Sequence, residues 1–393
     1  MKTAWFLAGR LLRRRGTALL RTSAVAALSA VALGVAALVV ALALMTGYSA
    51  ALRSGVLAAS GHLVVLSPPG LPADEVSAAA ARVAAVPGVV RVGAVAYLPG
   101  MLFARNGGDA ELVSVRASAS PPPFVHLASA GAGGPLPAAV GRGVARRIGA
   151  RAGDVVLLQV VSAGAPRVVP VRIDQVFSTG FAELDERFLV TDLASLGRRV
   201  PGLPSGGLEA WLADPDRAEA LRDRVEAACG RGSIVTTWQE SNRNLFAALR
   251  WQKLSLGLVL SLVLGVGAFE VASALVVLVT EKRRAFGVIL AIGGPPGLVR
   301  RTLVLAGAAL GGVGVAVGIG LGVVVAALLT ALHIPHFPPD IASIYMVDTI
   351  PLRVIPGDVA VVLGLGMVEV LLAALLPAAR TSRREPVEVL RWV

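Results

Sequence analysis

The sequence predicts a membrane protein: four transmembrane α-helices, with a large external α+β domain inserted between the first and the second. Three observations carry this reading. Four apolar runs are long enough to cross a bilayer. The positive charge of the chain collects in short segments beside those runs. The long stretch after the first run, residues 49–250, is nearly neutral, with 20 basic and 17 acidic residues, and reads as a folded insert.

The composition excludes other classes. The chain has 393 residues, 55% apolar and only 16% charged, with a mean hydropathy of +0.74. A soluble domain carries about 25% charged residues, so neither an ordinary soluble enzyme nor a disordered chain fits. The formal charge of +12 invites a nucleic-acid partner. Its distribution argues against one. Lys2, Arg10, Arg13, Arg14, Arg15 and Arg21 precede or open the first run. Lys282, Arg283, Arg284, Arg300 and Arg301 lie between two later runs, and Arg380, Arg383, Arg384 and Arg391 follow the last. Only Glu281, Glu385 and Glu388 oppose these fifteen residues, which accounts for the whole excess.

Ala24 to Met45 carries no charge over 22 residues. A hydrocarbon core of ~30 Å needs ~20 helical residues, whereas a cleaved secretory signal has an apolar core of only ~7–15. This run is therefore read as a retained helix. Leu254 to Thr280 holds one charge, Glu270; Thr302 to Leu332 holds none; Val359 to Leu376 holds one, Glu369. Spans are expected at 24–48, 251–280, 302–332 and 357–377. The excess of Lys and Arg in short loops marks the cytoplasmic side. It places residues 1–23, 281–301 and 378–393 in the cytoplasm, and residues 49–250 and 333–356 outside. In the third span, Gly307, Gly311, Gly314, Gly318 and Gly322 form a stripe that admits another helix at close range. A groove for a lipid substrate is the alternative. That span exceeds the membrane thickness at ~1.5 Å per residue, so it tilts or projects.

Within the insert, strands are expected at 62–67, 89–97, 208–212 and 233–237. Helices are expected over 73–86 and from the Asp214-Pro215 cap to about Cys229. The two strand–helix–strand units, within 57–116 and 207–240, pair into one split sheet. Residues 117–206 read as an inserted β-rich subdomain with strands at 155–161 and 168–177. The acids Glu183, Asp185 and Glu186 read as a solvated loop.

No phosphate-binding GxxxxGK[ST] loop, GxSxG elbow or HExxH pair occurs, so no catalytic residue is assigned and this chain binds no nucleotide cofactor itself. Cys229 is the sole cysteine, which excludes an intrachain disulfide and a cysteine zinc cluster. His333 and His336 have metal-like spacing but no third ligand, and no metal is expected. A carboxyl within a span costs roughly 2.5–3.5 kcal/mol on insertion scales. Glu270 and Glu369 are therefore expected to face the bundle interior. They serve there as polar glue between helices or, alternatively, as a proton relay.

The loop "EKRRAFGVILAIGG", from Glu281, leads charge into an apolar stretch ending at a double glycine. It reads as a short helix on the membrane surface, stopping at Gly293. It resembles the E-K-R-x-x-I-x-I-L-x-x-x-G-A loop of FtsX-like ABC transporter permeases, and the tail "LPAARTSRREPVEVLR" resembles that family's ending. Three further stretches resemble the LolC and LolE lipoprotein-releasing permeases. These are "MTGYSAALRSGVLAASGHLVVLSP" from Met45, "TWQESNRNLFAALRWQK" ending at Lys253, and "PPDIASIYMVDTIPLRVIPGDV" from Pro338. Five motifs in the right order cover both chain ends, all four spans and both borders of the insert.

The resemblance implies a MacB-like, type VII ABC permease with its large domain in the periplasm of a bacterial inner membrane. It implies a non-catalytic subunit that extracts acylated lipoproteins from the outer leaflet and passes them to a carrier. The implied partners are a LolD-like ATPase dimer holding ATP and magnesium, a second LolC/LolE-like permease (a paralogue or an identical copy), a LolA-like periplasmic carrier and membrane lipids. It implies that Glu281, Lys282, Arg283, Arg284, Phe286, Ile289 and Leu290 couple to the ATPase. Met45, Tyr48, Leu52, Val56, Trp251, Leu254 and Leu258 are candidates for the lipoprotein cavity. The carrier-recruiting hairpin corresponds to Ser162–Arg172, with Pro166, Arg167 and Arg172 as contacts. It is short, which leans toward LolE or a combined type. Glu270 departs from the family's usual Asn. A MacB-type exporter of drugs or peptides and an FtsX-type regulator of a cell-wall hydrolase are the competing readings.

Overall fold

The computed structural model describes residues 18–66, 73–103, 110–128, 133–162, 165–179, 181–203, 207–230, 232–332, 334, 349 and 352–382. The basic residues at 2–15 and 383–391, His333, His336 and the 338–348 motif lie outside the described residues. Two compact units result. One comprises Met1–Tyr48, Ala248–Ile334 and Ile350–Val393; the other comprises Ser49–Ala247 and Pro335–Thr349.

The first helix, α1 (Ala18–Ala59), passes without a break from the first unit into the second. The second unit then carries β1 (Leu63–Leu66), α2 (Ala73–Ala84), β2 (Val89–Phe103), β3 (Ala110–Ser118), β4 (Leu136–Gly141), α3 (Arg142–Arg147), β5 (Val155–Ser162) and β6 (Ala165–Phe177). It continues with α4 (Ala182–Arg187), β7 (Phe188–Asp192), α5 (Leu193–Arg199), β8 (Gly207–Leu212), α6 (Ala218–Cys229), β9 (Ile234–Thr237) and α7 (Trp238–Ser241).

The strand order is β3-β7-β4-β6-β5-β2-β8-β1-β9, and β3 also pairs with β2. That last pairing closes a ring of six strands, β2, β3, β7, β4, β6 and β5. The long strand β2 makes this possible. Its first half, from Val89 to Val95, pairs with β8, and its second half, from Val95 to Phe103, pairs with β3. The ring is filled by apolar side chains, among them Leu102, Val115, Leu136, Leu158, Ile173 and Leu189, as a barrel this small requires. Closure also leaves the ring without a free edge. Beyond it, β2, β8, β1 and β9 form an antiparallel sheet. Helices α2 and α6 pack against each other in the two interleaved strand–helix–strand units.

The sequence reading placed the border of the inserted subdomain at residue 117. The barrel instead shares β2 with the split sheet and includes β3. Strand β4 escaped notice because all six of its residues are buried, so it lacks the alternation that marks a half-exposed strand. The acidic cluster is also corrected. Asp185 lies buried in α4, where its carboxylate accepts from the Thr179 amide (2.8 Å), Thr179 Oγ1 (2.9 Å) and Ser178 Oγ (3.0 Å). Glu186 pairs with Arg146 and Arg147.

One polar contact of this unit is pH-sensitive. His62 Nδ1 accepts the Leu212 amide at 2.9 Å, which requires an unprotonated nitrogen. Burial holds the ring below its ordinary pKa of 6.5, and the nearby Arg91 charge adds to the effect. The unfolded chain thus takes up this proton before the folded one. Stability is expected to be complete above 6.5 and to fall as the pH drops from 6.5 toward the folded pKa. Calorimetry at pH 7.5 and 5.5 checks this: His62→Asn should show a smaller loss of melting temperature between the two than the native chain does.

The first unit completes with α8 (Arg243–Ala291), α9 (Pro296–Ala331) and α10 (Pro356–Ser382). With α1 these are four helices long and apolar enough to cross a membrane. In hydrocarbon only helices or closed barrels satisfy their own backbone groups. The core joins Val31, Val35, Leu264, Leu275, Leu303 and Val370.

The glycine stripe of α9 packs within this core. Substituent methyl groups at Gly314, Gly318 and Gly322 would meet Val31, Val35 and Val39 of α1 at 3.1, 2.7 and 2.7 Å. One at Gly307 would meet Ala374 of α10 at 2.8 Å, and one at Gly311 would collide with Val370. The stripe is occupied by neighbouring helices, so it is packing rather than a free lipid groove.

Candidate functional site

The turn between α8 and α9 differs from its expected form. No separate surface helix follows the second span; α8 runs on through Glu281 and ends only at Ala291. The residues from Glu281 to Leu290 contain no proline and are dominated by good helix formers, so nothing interrupts the span. The stop is where the double glycine predicts it. Gly293 takes φ +88, its amide donates to Leu290 O (3.1 Å), and the Gly294 amide donates to Ile289 O (2.9 Å). This is the paired arrangement that satisfies a helix's last carbonyls and favours glycine. Pro295 and Pro296 then open α9.

The helix end has two faces. Phe286 is buried in the bundle core, and Ile289 and Leu290 pack against it. Arg283 and Arg284 are exposed, together with Val288 and Ile292. Lys282 and Glu281 are half-buried, and Glu281 Oε1 is shielded with no hydrogen-bond partner among the described residues. Sequence reasoning missed Val288 and Ile292. These two large apolar side chains are exposed at the helix end beside the arginines. The i, i+4 spacing of 284, 288 and 292 was the available signal.

The other candidates separate. Trp251, Leu254 and Leu258 lie exposed on α8, in one face with Leu262, Val266 and Phe269. Met45 and Tyr48 are half-buried. Leu52 and Val56 are 0% and 5% exposed, so they do not line an open cavity. They belong to the part of α1 that folds into the second unit. There Arg53 pairs with Asp216 and stacks over Trp238, and a methyl at Gly55 would collide with the Phe181 ring.

Glu270 is exposed on α8 and does not face the interior of its own bundle. Glu369 does turn inward. Its Oε2 is shielded, without a hydrogen-bond partner among the described residues, 3.8 Å from where a Cβ on Gly265 would stand.

The expected hairpin exists as β5 and β6, paired down to Ser162 and Ala165. Pro166 and Arg167 are exposed near its turn. Arg172 lies at the opposite end, across from Val155, and its guanidinium is held by Asp174 (Nε to Oδ1, 2.7 Å), which raises its pKa. Among the described residues no group of three His, Cys, Asp or Glu could hold a metal.

Comparison with known proteins bears on this arrangement. Residues 24–228 match the MacB-like periplasmic core domain, and residues 257–386 match the FtsX-like permease C-terminal domain. The chain belongs to the MacB-type, FtsX-like permease family. A relative from Xylella fastidiosa (strain 9a5c), named lipoprotein-releasing system transmembrane protein LolC, is 26% identical over 93% of both chains. The LolC of Neisseria meningitidis serogroup B is 29% identical over 64% of both. The LolE of Haemophilus influenzae is 23% identical over 64% of this chain and 63% of its own. The expected kinship with LolC and LolE is thus borne out, and the lean toward LolE drawn from the short hairpin gains no support from these identities. The periplasmic region of MacB from Actinobacillus actinomycetemcomitans aligns at 9% identity and a TM-score of 0.30, over 47% of this chain and 91% of that one. Four apolar helices and a periplasmic core domain fit an inner-membrane permease.

Proposed function

We propose that this permease is the transmembrane subunit of a lipoprotein-releasing ABC transporter. It extracts acylated lipoproteins from the outer leaflet of the inner membrane and hands them to a LolA-like periplasmic carrier. A separate LolD-like ATPase dimer, which binds ATP and magnesium, supplies the energy. The observation that supports this most is likeness to LolC over 93% of both chains. That extent covers the helices and the insert together.

The physical demand is consistent. Each acyl CH₂ brought from membrane to water costs about 0.8 kcal/mol, so release needs an apolar wall and an external energy source. In this reading both chain termini and the α8–α9 turn face the cytoplasm. The ATPase contacts Arg283, Arg284, Val288 and Ile292. Phe286, Ile289 and Leu290 carry the displacement into the bundle core. The exposed face from Trp251 to Phe269 forms part of the wall, completed by a second LolC/LolE-like permease. Glu270 supports that second chain, since a carboxyl at this depth is costly against lipid.

The test is reconstitution in proteoliposomes with the cognate ATPase, a triacylated lipoprotein and the carrier. ATP-dependent transfer to the carrier is expected, with Arg283→Glu/Arg284→Glu lowering it at least tenfold by weakening ATPase association. In the same complex a photocrosslinking residue in place of Val266 is expected to crosslink to the second permease on illumination. No transfer from a fully assembled complex overturns the reading, and absence of the crosslink overturns the placement of the second chain.

A further inference from the structure

The bundle holds a polar cluster that the proposed function does not use. Thr46 follows the last residue of the first apolar run, Lys253 precedes the first residue of the second, and Asp358 precedes the fourth. Three apolar runs thus end at three polar residues, and the fold brings them together. Lys253 Nζ donates to Asp358 Oδ1 (2.8 Å), to Asp358 Oδ2 (3.0 Å) and to Thr46 Oγ1 (2.8 Å). Thr46 Oγ1 in turn donates to Asp358 Oδ2 at 2.6 Å, closing a triangle.

The lysine could have reached for water, as lysines at span ends usually do. Instead its side chain is 32% exposed and that of Asp358 only 16%. Asp358 sits in the first turn of α10, where the helix dipole favours a carboxylate. The chain just before it is stitched to the same end of the bundle. The Arg353 amide donates to Ala43 O (3.1 Å), Thr330 Oγ1 donates to Leu352 O (3.3 Å), and Leu352 is buried with Ala43 and Ala326.

We propose that Lys253, Asp358 and Thr46 are positioning residues of the transport cycle. They form a clamp that fixes α1, α8 and α10 to one another where their apolar runs end. The reason lies in how the rest of the bundle is held. The contacts of the glycine stripe and core are dispersion contacts, which are individually weak and carry no hydrogen-bond direction. Charge-assisted hydrogen bonds are directional and resist sliding. With the clamp closed, a displacement entering α8 beside Phe286 moves the three helices as one body at the level of the clamp. Without it, α8 slips past α1 and α10.

The clamp itself stands on geometry; its transport role rests on the proposed function, so the experiment has two arms. In the first, the full chain in lipid nanodiscs is followed by hydrogen exchange. Lys253→Met is expected to speed exchange in 352–358, where the Arg353 amide reports the stitching, at least tenfold. Lys253→Asp combined with Asp358→Lys is expected to restore it to within threefold, and Thr46→Val to give a smaller rise. Unchanged exchange in Lys253→Met, or a double variant as loose as the singles, overturns the clamp. In the second arm, with the ATPase bound, Lys253→Met is expected to keep ATP hydrolysis within twofold and lower lipoprotein release at least tenfold. Equal loss of both, or loss of neither, overturns the positioning role. If the native complex releases no lipoprotein, the proposed function fails while the exchange arm still decides the clamp.

Discussion

Replacing Glu209 with alanine is expected to lower the melting temperature of the periplasmic core by roughly 6–20 °C. That range is a loss of about 3–5 kcal/mol for breaking a buried ion pair, at about 2–4 °C per kcal/mol for a unit of this size. Glu209 is 0% exposed and Arg116, its partner, 1%. The other carboxylate oxygen accepts from the Tyr97 hydroxyl at 2.6 Å, and burial raises the pKa of that hydroxyl. Alanine would remove the carboxylate that pairs with this buried guanidinium. Cys229 provides the readout. It is the only cysteine of the chain and is buried in α6, and burial raises its thiol pKa. A thiol-reactive dye at pH 7.5 therefore labels it on unfolding. Removing both charges, with Arg116→Met and Glu209→Leu, is expected to recover most of the loss, because well-packed apolar pairs replace buried ion pairs at little cost. A double variant as unstable as Glu209→Ala would show that shape, not charge, governs the site.

This network was not legible in the sequence, and the reason is instructive. Arg116 and Glu209 are 93 positions apart, and neither stands in a motif. They meet because β2 is long enough to border both the barrel and the split sheet. The strand reading stopped at Tyr97, short of the half that closes the barrel. By contrast, the four spans were legible, since hydrocarbon tolerates few charges and the absence of charge is a signal that any run reveals. The split sheet was legible from its two similar flanks. At the candidate site, the stop at Gly293 could be read because a left-handed residue favours glycine. The unbroken passage of α8 through Glu281 could not, because a basic segment after a span looks the same whether it bends or continues. Glu270 was misplaced by a correct cost argument applied to one chain alone. The argument assigns a cost to a carboxyl facing lipid, but does not by itself turn the side chain toward its own bundle.

Replacing Gly318 with leucine is expected to have the second large effect, and a neighbour two residues away makes the test specific. A Cβ at Gly318 would lie 2.6 Å from Ala32 O and 2.7 Å from Val35 Cβ, while at Gly320 it would meet nothing within 4 Å. The first pair of atoms includes helix backbone of α1, which cannot yield as a side-chain tip can. Overpacking of this kind costs about 1–3 kcal/mol, and separation of α1 from α9 would also forfeit the contacts at Gly314 and Gly322. Gly320→Leu carries the same added volume and the same gain in helix propensity, without the collision. Thermal unfolding of the two variants in detergent should therefore differ in sign, Gly318→Leu melting below the native chain and Gly320→Leu at or above it. Equal damage from both would mean that leucine is harmful on α9 wherever it stands, and that the close approach of α1 is not what the stripe provides. The difference bears on transport as well. A stripe that must hold α1 against α9 cannot open to admit an acyl chain without losing the same contacts. The apolar faces that α8, α9 and α10 leave exposed carry no such cost.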